Sequence, residues 1–247
     1  MFTITGDTHA ERARFTYRNS AMDTHLLKGD YLFVCGDFGY IFDDDERERD
    51  FLDYMARKPY TICFVDGNHE NFDVINSFPI EEWCGGKVHV IRRDKEGNPK
   101  IIHLMRGQVY EVKDRDMGVK KIFTYGGAYS IDKALRIPGR SWWQQEMPSD
   151  EEMKEGIHNL KKHDYKVDYI ITHAAPEETM NIFHPNHEHE KPLNNFLEWV
   201  RENVEYKHWY MGHLHRDEDV WRHQTILWFD VRNMENNEQL DEGIVEE

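Results

Sequence analysis

The side chains in this chain that could do chemistry are concentrated in a few short polar clusters: GDTH at 6–9, GDFG at 36–39, GNHE at 67–70, TH at 172–173 and GHLH at 212–215. They supply Asp7, His9, Asp37, Asn68, His69, His173, His213 and His215, which are carboxylates, one carboxamide and imidazoles, with no thiolate. This donor set suits divalent first-row metals, with Mn, Fe, Zn, Co and Ni all candidates. It holds more ligands than one ion needs. Two ions about 3.5–4 Å apart, bridged by a carboxylate, would use them, and such pairs clamp the attacking and leaving oxygens of an in-line displacement at phosphorus. Asp7 and His9 are one residue apart, as are His213 and His215. In extended backbone i and i+2 point the same way, so each pair is expected to reach a common pocket.

The elements that must position these groups are legible beside them. The runs MFTIT, YLFVC, YTICFV, KIFTY, VDYII and KHWYM each end abruptly in a glycine or polar cluster, and each has the length and β-branched or aromatic content of a buried strand. The clusters then lie beyond the carboxyl ends of strands, where α/β sheets place their sites. Helices are expected over 43–58, 148–164 and 192–203. The first has acids at its start and bases at its end, the second opens on Pro148–Ser149 before an acidic turn, and the third has an apolar face of Leu193, Phe196, Leu197 and Val200. Between 87 and 125 the helices stop, and KVHVIRR, KIIHLM and GQVYEVK read as consecutive strands with turns at Gly97–Asn98 and Gly107. Residues 218–233 also read as strands. The expectation is an α/β fold with added antiparallel structure, forming a single domain over 1–234.

Composition narrows the partners. The chain has 247 residues and a formal net charge of −16, which argues against broad binding to nucleic acid or anionic membrane. Residues 235–247 carry six acids and no base, and are expected to form a disordered acidic tail. The spacing of Cys35, Cys63 and Cys84 gives neither a disulfide framework nor a zinc site, and the first two read as buried thiols. With no leader pattern and no long apolar run, a soluble cytoplasmic protein is expected. The stretch after GGAYS brings Lys133, Arg136, Arg140, Trp142 and Trp143. Its cations are expected to hold phosphate. The tryptophans are expected to pack the loop onto the core, the alternative being that one stacks on a base. His184, His187 and His189 are expected to be solvated at the rim, with a third metal site as the alternative.

The ordered motifs from residue 5 to residue 215 resemble those of the calcineurin-like metallophosphoesterase superfamily. The resemblance implies a four-layer αββα sandwich with mixed sheets and a cofactor of two divalent metal ions, manganese foremost. It assigns Asp7, His9, Asp37 and His215 to one ion, and Asp37, Asn68, His173 and His213 to the other. It makes a bridging hydroxide the nucleophile, His69 the general acid, and Asn68 a substrate contact, with Arg136 and Arg140 added from the loop reading. The implied activity is hydrolysis of a phosphodiester or small phosphomonoester, a nucleotide among the candidates. The alternatives are a protein Ser/Thr phosphatase, a scaffold that has lost catalysis, and a DNA exonuclease. Protein phosphatases of the superfamily carry Asp-Arg-Gly after the second motif and an Arg before GNHE. Here Tyr40-Ile41-Phe42 and Asp66 stand in those places, which weighs against that reading, because arginine forks grip phosphate. Ala10 replaces a usual glycine. Every ligand position is filled, which weighs against the scaffold.

Overall fold

The strands that deliver the polar clusters are shared between two sheets. The computed structural model describes residues 1–17, 20–113, 115 and 118–241. The first half of the chain runs β1 (Phe2–Thr5), α1 (Ala13–Thr16), α2 (Ala21–His25), β2 (Tyr31–Val34), α3 (Glu46–Ala56), β3 (Thr61–Phe64), α4 (Phe72–Ile75), β4 (Ile80–Trp83), β5 (Gly86–Arg93) and β6 (Pro99–Leu104). The second half runs β7 (Gln108–Lys113), β8 (Val119–Tyr125), α5 (Asp150–Lys162), β9 (Tyr169–Thr172), α6 (Glu177–Phe183), α7 (Lys191–Asn203), β10 (His208–Met211), β11 (Glu218–Val220), β12 (Gln224–Ile226) and β13 (Val231–Asn233). Short 3₁₀ turns at Lys133–Leu135 and Gln144–Glu146 break up the long connection after β8.

Among the described residues the first sheet has the order β13-β1-β2-β3-β6-β5-β4 and the second β11-β12-β10-β9-β8-β7. Each is parallel at its centre and antiparallel at its edges. The consecutive strands expected between 87 and 125 therefore part company: β5 and β6 pair in the first sheet, and the chain crosses to the second through Gly107 before β7. Gly107 has φ +70°, and a Cβ there would meet Gly156 of α5 at 2.8 Å, so this crossing requires glycine.

The strands alternate their side chains between two cores. In β2, Leu32 and Val34 pack with Phe15, Met22, Phe51 and Met55 of α1–α3, while Phe33 faces Tyr110, Ile122 and Ile171 of the other sheet. In the second sheet Phe123, Ile170, Trp209 and Ile226 turn outward onto Leu160 of α5 and Leu193, Phe196, Leu197 and Val200 of α7. The layers are thus helix, sheet, sheet, helix, the four-layer arrangement expected. Strands buried on both faces read as near-continuous apolar runs, which is why they were visible in the sequence.

The three expected helices form, the first two with tighter ends and the third starting one residue earlier, at Lys191. α5 starts at a capping box: Ser149 Oγ accepts the Glu152 N–H at 3.3 Å, and the Glu152 carboxylate accepts the Ser149 N–H at 2.7 Å. α3 starts where Asp45 accepts the Glu48 N–H at 2.8 Å. All three cysteines are free thiols. Among the described residues no helix is long and apolar enough to cross a membrane. Of the acidic tail expected at 235–247, residues 235–241 fold back on β13: Gln239 bridges Arg232, and the Leu240 N–H donates to Val231 O at 2.7 Å. Residues 242–247 lie outside the described residues.

One half-buried histidine gives stability a pH dependence. His208 of β10 stacks on Tyr210 and its Nε2 meets Thr225 Oγ1 at 2.8 Å. Burial lowers its imidazole to about 4 against the pull of Asp219. A folded-state pKa below the unfolded value means that the unfolded chain takes up the proton first, so this contribution is lost as pH falls from about 6.5 through 4. Between pH 7 and pH 5 it amounts to about 2 kcal/mol. Urea unfolding at the two pH values should show His208→Gln, which keeps a donor for Thr225, losing less stability on acidification than the parent by about that amount.

Candidate metal centre

Every candidate ligand stands in the turn that ends a central strand. β1 delivers Asp7 and His9, β2 Asp37, β3 Asn68 and His69, β9 His173, and β10 His213 and His215. These turns are not extended. His9, Asp37, His213 and His215 have φ of 43°, 47°, 65° and 49°. Side chains rarely adopt this left-handed conformation, and strain of this kind collects at functional sites. The expectation that i and i+2 share a pocket through extended backbone is thus corrected: tight turns bring the residues in, and they send His213 and His215 to different neighbours. Ala10, where glycine is usual, also sits at φ 56°.

Asp7, His9, Asp37 and His215 form one group, each with a ligand atom within 4.8 Å of the others. His9 Nε2 lies 3.0 Å from His215 Nε2 and 3.7 Å from Asp37 Oδ2, and His215 Nε2 lies 3.3 Å from Asp7 Oδ2. Asp37, Asn68 and His173 continue from it. His173 Nε2 is 3.5 Å from Asp37 Oδ2 and 3.2 Å from Asn68 Oδ1, while its Nδ1 faces Cys35 O at 2.7 Å. His213 packs on His173 with ring centroids 5.0 Å apart, and its Nε2 is 3.2 Å from Glu190 Oε2. Asp37 is common to both groups.

Glycines let these side chains close in. A Cβ on Gly36 would lie 2.4 Å from His173 Nδ1, one on Gly67 2.1 Å from Asp37 Oδ1, and one on Gly212 2.2 Å from Asp7 Oδ1. The electrostatics fit a cation. Burial and the neighbouring Asp37 push the Asp7 carboxyl up. Burial would also raise Asp37, but His173, His69 and His9 outweigh it and hold Asp37 down. Burial would lower His213, but Glu190, Asp37 and Asp7 push it up to about 9. A pocket with two buried carboxylates facing several imidazoles has the lone pairs, the charge and the cradle to hold divalent metal.

Beside it opens a cavity of about 400 Å³ lined by Asp37, Asn68, His69, Tyr129, Arg136 and Glu190, among others. Arg136 Nη2 lies 3.0 Å from His69 Nδ1 and 2.9 Å from Asp132 Oδ2. Burial first, then Arg136 and His9, lower the His69 imidazole against the raising effect of Asp37. Arg140 is exposed and does not line the cavity, so of the two loop arginines the structure brings only Arg136 to the site. Trp143 is 5% exposed, donates to Asp73 Oδ2 at 2.7 Å and packs edge-on to Phe42, which is the packing role expected of it. His187 is not solvated: it is buried, with Nδ1 facing His184 O and Nε2 facing Glu177 at 2.8 Å.

The replaced phosphatase positions have structural work. Tyr40 is buried and its hydroxyl donates to Glu11 O at 2.7 Å. Asp66 pairs with Arg106, whose Nε and Nη2 reach Asp66 Oδ2 at 2.8 and 2.5 Å, and His103 Nε2 faces its other oxygen at 3.1 Å. Burial would raise Asp66, but Arg106 and His103 hold its carboxyl far below the usual range.

The model of the family described as calcineurin-like phosphoesterase matches residues 1–217, a span that contains every ligand candidate. The chain belongs to this family. Its members are metal-dependent hydrolases of phosphoesters, and the Asp/His cluster of this chain has the donors that such chemistry uses. No curated protein matches the chain.

Residues that support the cluster escaped the sequence reading. Arg14 donates from Nη1 to Asp7 O at 3.1 Å and Trp228 O at 2.8 Å, tying the β1 turn to the C-terminal segment. Glu70 accepts the Phe38 N–H at 2.7 Å and steadies the turn carrying Asp37. Glu146 and Glu190 are buried beside the second ligand group. Glu70 lies within the GNHE cluster and could have been flagged there. The others left no signal, because their partners are remote in sequence and mostly backbone.

Proposed function

We propose that this chain hydrolyses phosphoester bonds with two divalent cations, manganese foremost, acting on phosphodiesters or small phosphomonoesters, nucleotides among them. Asp7, His9, Asp37 and His215 would hold one cation, Asp37, Asn68, His173 and His213 the other, with Asp37 shared. The observation that carries this reading is the convergence of that cluster with His69 and Arg136 on one cavity. Bound there, the cations would neutralise phosphoryl charge and lower the pKa of an attacking water.

The chain's own groups supply the rest. Arg136 is the one arginine or lysine among the described lining residues, and it stands where it can hold a phosphoryl oxygen. His69 is placed to give a proton from its ring to the leaving oxygen. A phosphoryl group at the site adds negative charge beside that ring and draws Arg136 away from it, and both effects raise the imidazole pKa toward the value an acid needs. The protein-phosphatase reading is weakened at Asp66, which stands where those enzymes place an arginine before GNHE and holds the guanidinium of Arg106 as its own ion-pair partner.

His69→Ala should lower kcat by about 10²–10⁴-fold on an alkyl ester, whose leaving group needs a proton. It should cost much less on a p-nitrophenyl ester, whose leaving group does not. Equal losses on both would remove His69 from the acid role. Assaying p-nitrophenyl phosphate beside bis(p-nitrophenyl) phosphate assigns the mono- or diester preference.

A further inference from the structure

Two of the buried carboxylates that the proposed chemistry leaves unused lean on the second ligand group. Glu190 is 3% exposed and Glu146 1%. Glu190 precedes α7; its Oε2 lies 3.2 Å from His213 Nε2 and accepts the Tyr129 N–H at 2.8 Å, and its Oε1 accepts from Asn194 Nδ2 at 2.9 Å. Glu146, in the 3₁₀ turn of the loop after β8, accepts the Ser130 N–H at 3.0 Å and the Ser130 hydroxyl at 2.7 Å. Ser130 Oγ in turn accepts from Asn68 Nδ2 at 3.1 Å. With its NH₂ held there, the Asn68 carboxamide presents Oδ1 to His173 Nε2 at 3.2 Å.

The first ligand group is braced differently. Its carboxylates accept backbone N–H groups of the motif turns themselves: His213 N–H to Asp7 at 3.0 Å and His69 N–H to Asp37 at 2.8 Å. The second group is instead braced by side chains from two connections, the long one after β8 and the short one between α6 and α7, which meet at the adjacent residues Tyr129 and Ser130.

We propose that Glu190 and Glu146 are positioning residues for the second metal. The inference rests on the two-cation reading above. Glu190 fixes the His213 ring with Nε2 as hydrogen donor, which leaves Nδ1 as its lone-pair atom. Glu146, acting through Ser130, fixes which face of the Asn68 carboxamide looks into the site. A carboxylate behind a ligating imidazole also raises its basicity, and losing such a partner typically costs about 10–100-fold in metal affinity. Tyr129 and Glu190 also line the cavity, so the same scaffold shapes the second cation site and the substrate wall.

The test is calorimetric titration of metal-stripped protein with Mn²⁺ at fixed pH. Two backgrounds separate the sites: His173→Ala disables the second group and His9→Ala the first. In the His9→Ala background, Glu190→Ala should weaken the remaining step by about 10–100-fold. Ser130→Ala, which frees the Asn68 amide, should weaken it less. Glu190→Gln keeps an acceptor for Tyr129 and His213 without the charge, and should recover part of the loss while keeping the melting temperature of the parent. In the His173→Ala background none of these changes should move the remaining step by more than about twofold. Equal weakening in both backgrounds, or in neither, overturns the positioning role. If the parent protein binds fewer than two equivalents of Mn²⁺, the two-cation reading fails first, and that result is distinct because no variant is needed to see it.

Discussion

Asp37→Asn is expected to abolish metal-dependent hydrolysis while leaving the fold intact. Asp37 is common to the two ligand groups: Oδ2 lies 3.7 Å from His9 Nε2 and 3.5 Å from His173 Nε2. An amide there removes the anionic oxygen that both cations would share, so kcat should fall by at least about 10³-fold, beyond the 10–100-fold typical of removing a residue that only orients a ligand. The metal-free protein should be no less stable. The carboxamide oxygen can still accept the His69 N–H, which donates to Asp37 Oδ1 at 2.8 Å in the parent. The residue sits at φ 47°, a conformation asparagine tolerates better than most residues. The change also removes a negative charge that pushes on buried Asp7. Activity and thermal melting measured on one preparation check both halves. A large drop in melting temperature would mean that Asp37 is a structural residue.

The largest effect on stability is expected at Arg106, which lies outside the ligand groups. Its guanidinium satisfies buried Asp66 and also donates to Gln145 O at 2.7 Å and Glu146 O at 3.3 Å, so it joins the β3 turn to the loop after β8. Gly126 packs against the same carboxylate, where a Cβ would meet Asp66 Oδ1 at 2.4 Å. Arg106→Met leaves a buried carboxylate without its cation, and breaking a buried pair from one side costs about 3–5 kcal/mol. Asp66→Asn on top of it removes the stranded charge and should restore part of the loss. Guanidinium unfolding of the two variants measures this. Additive losses in the double variant would mean that the two residues are not coupled.

What the sequence disclosed follows physical lines. Asp7, Asp37, Asn68, His173 and the GHLH histidines were legible because each follows an apolar run that could only be a buried strand, and strand ends in α/β layers are where sites form. α5 was legible through Ser149 and its acidic first turn, since a capping box is a local signal. β4 was not: in IEEW, Ile80 is exposed and the strand lies at a sheet edge, so no buried alternation marks it. The division of β6 and β7 between sheets was hidden because both are apolar strands joined by a short turn, and only the Gly107–Gly156 approach distinguishes a crossing from a hairpin. Arg106, Glu146 and Glu190 were silent because a buried charge and its partner meet only after the chain has folded. Arg136 and Arg140 looked equivalent in sequence, and the turn at Ile137–Ser141, where the Ile137 N–H donates to Ser141 Oγ at 2.9 Å, is what separates them.

The proposed chemistry depends on two cations held by this cluster. The most direct test is turnover of p-nitrophenyl phosphate and its diester by metal-stripped protein as Mn²⁺ is added back in counted equivalents. A two-cation site gives no turnover in chelator, recovery with added metal that reaches its plateau only at two equivalents per chain, and none in Asp37→Asn at any metal concentration. Full turnover in chelator, a plateau at one equivalent, or metal-restored activity in Asp37→Asn would contradict it.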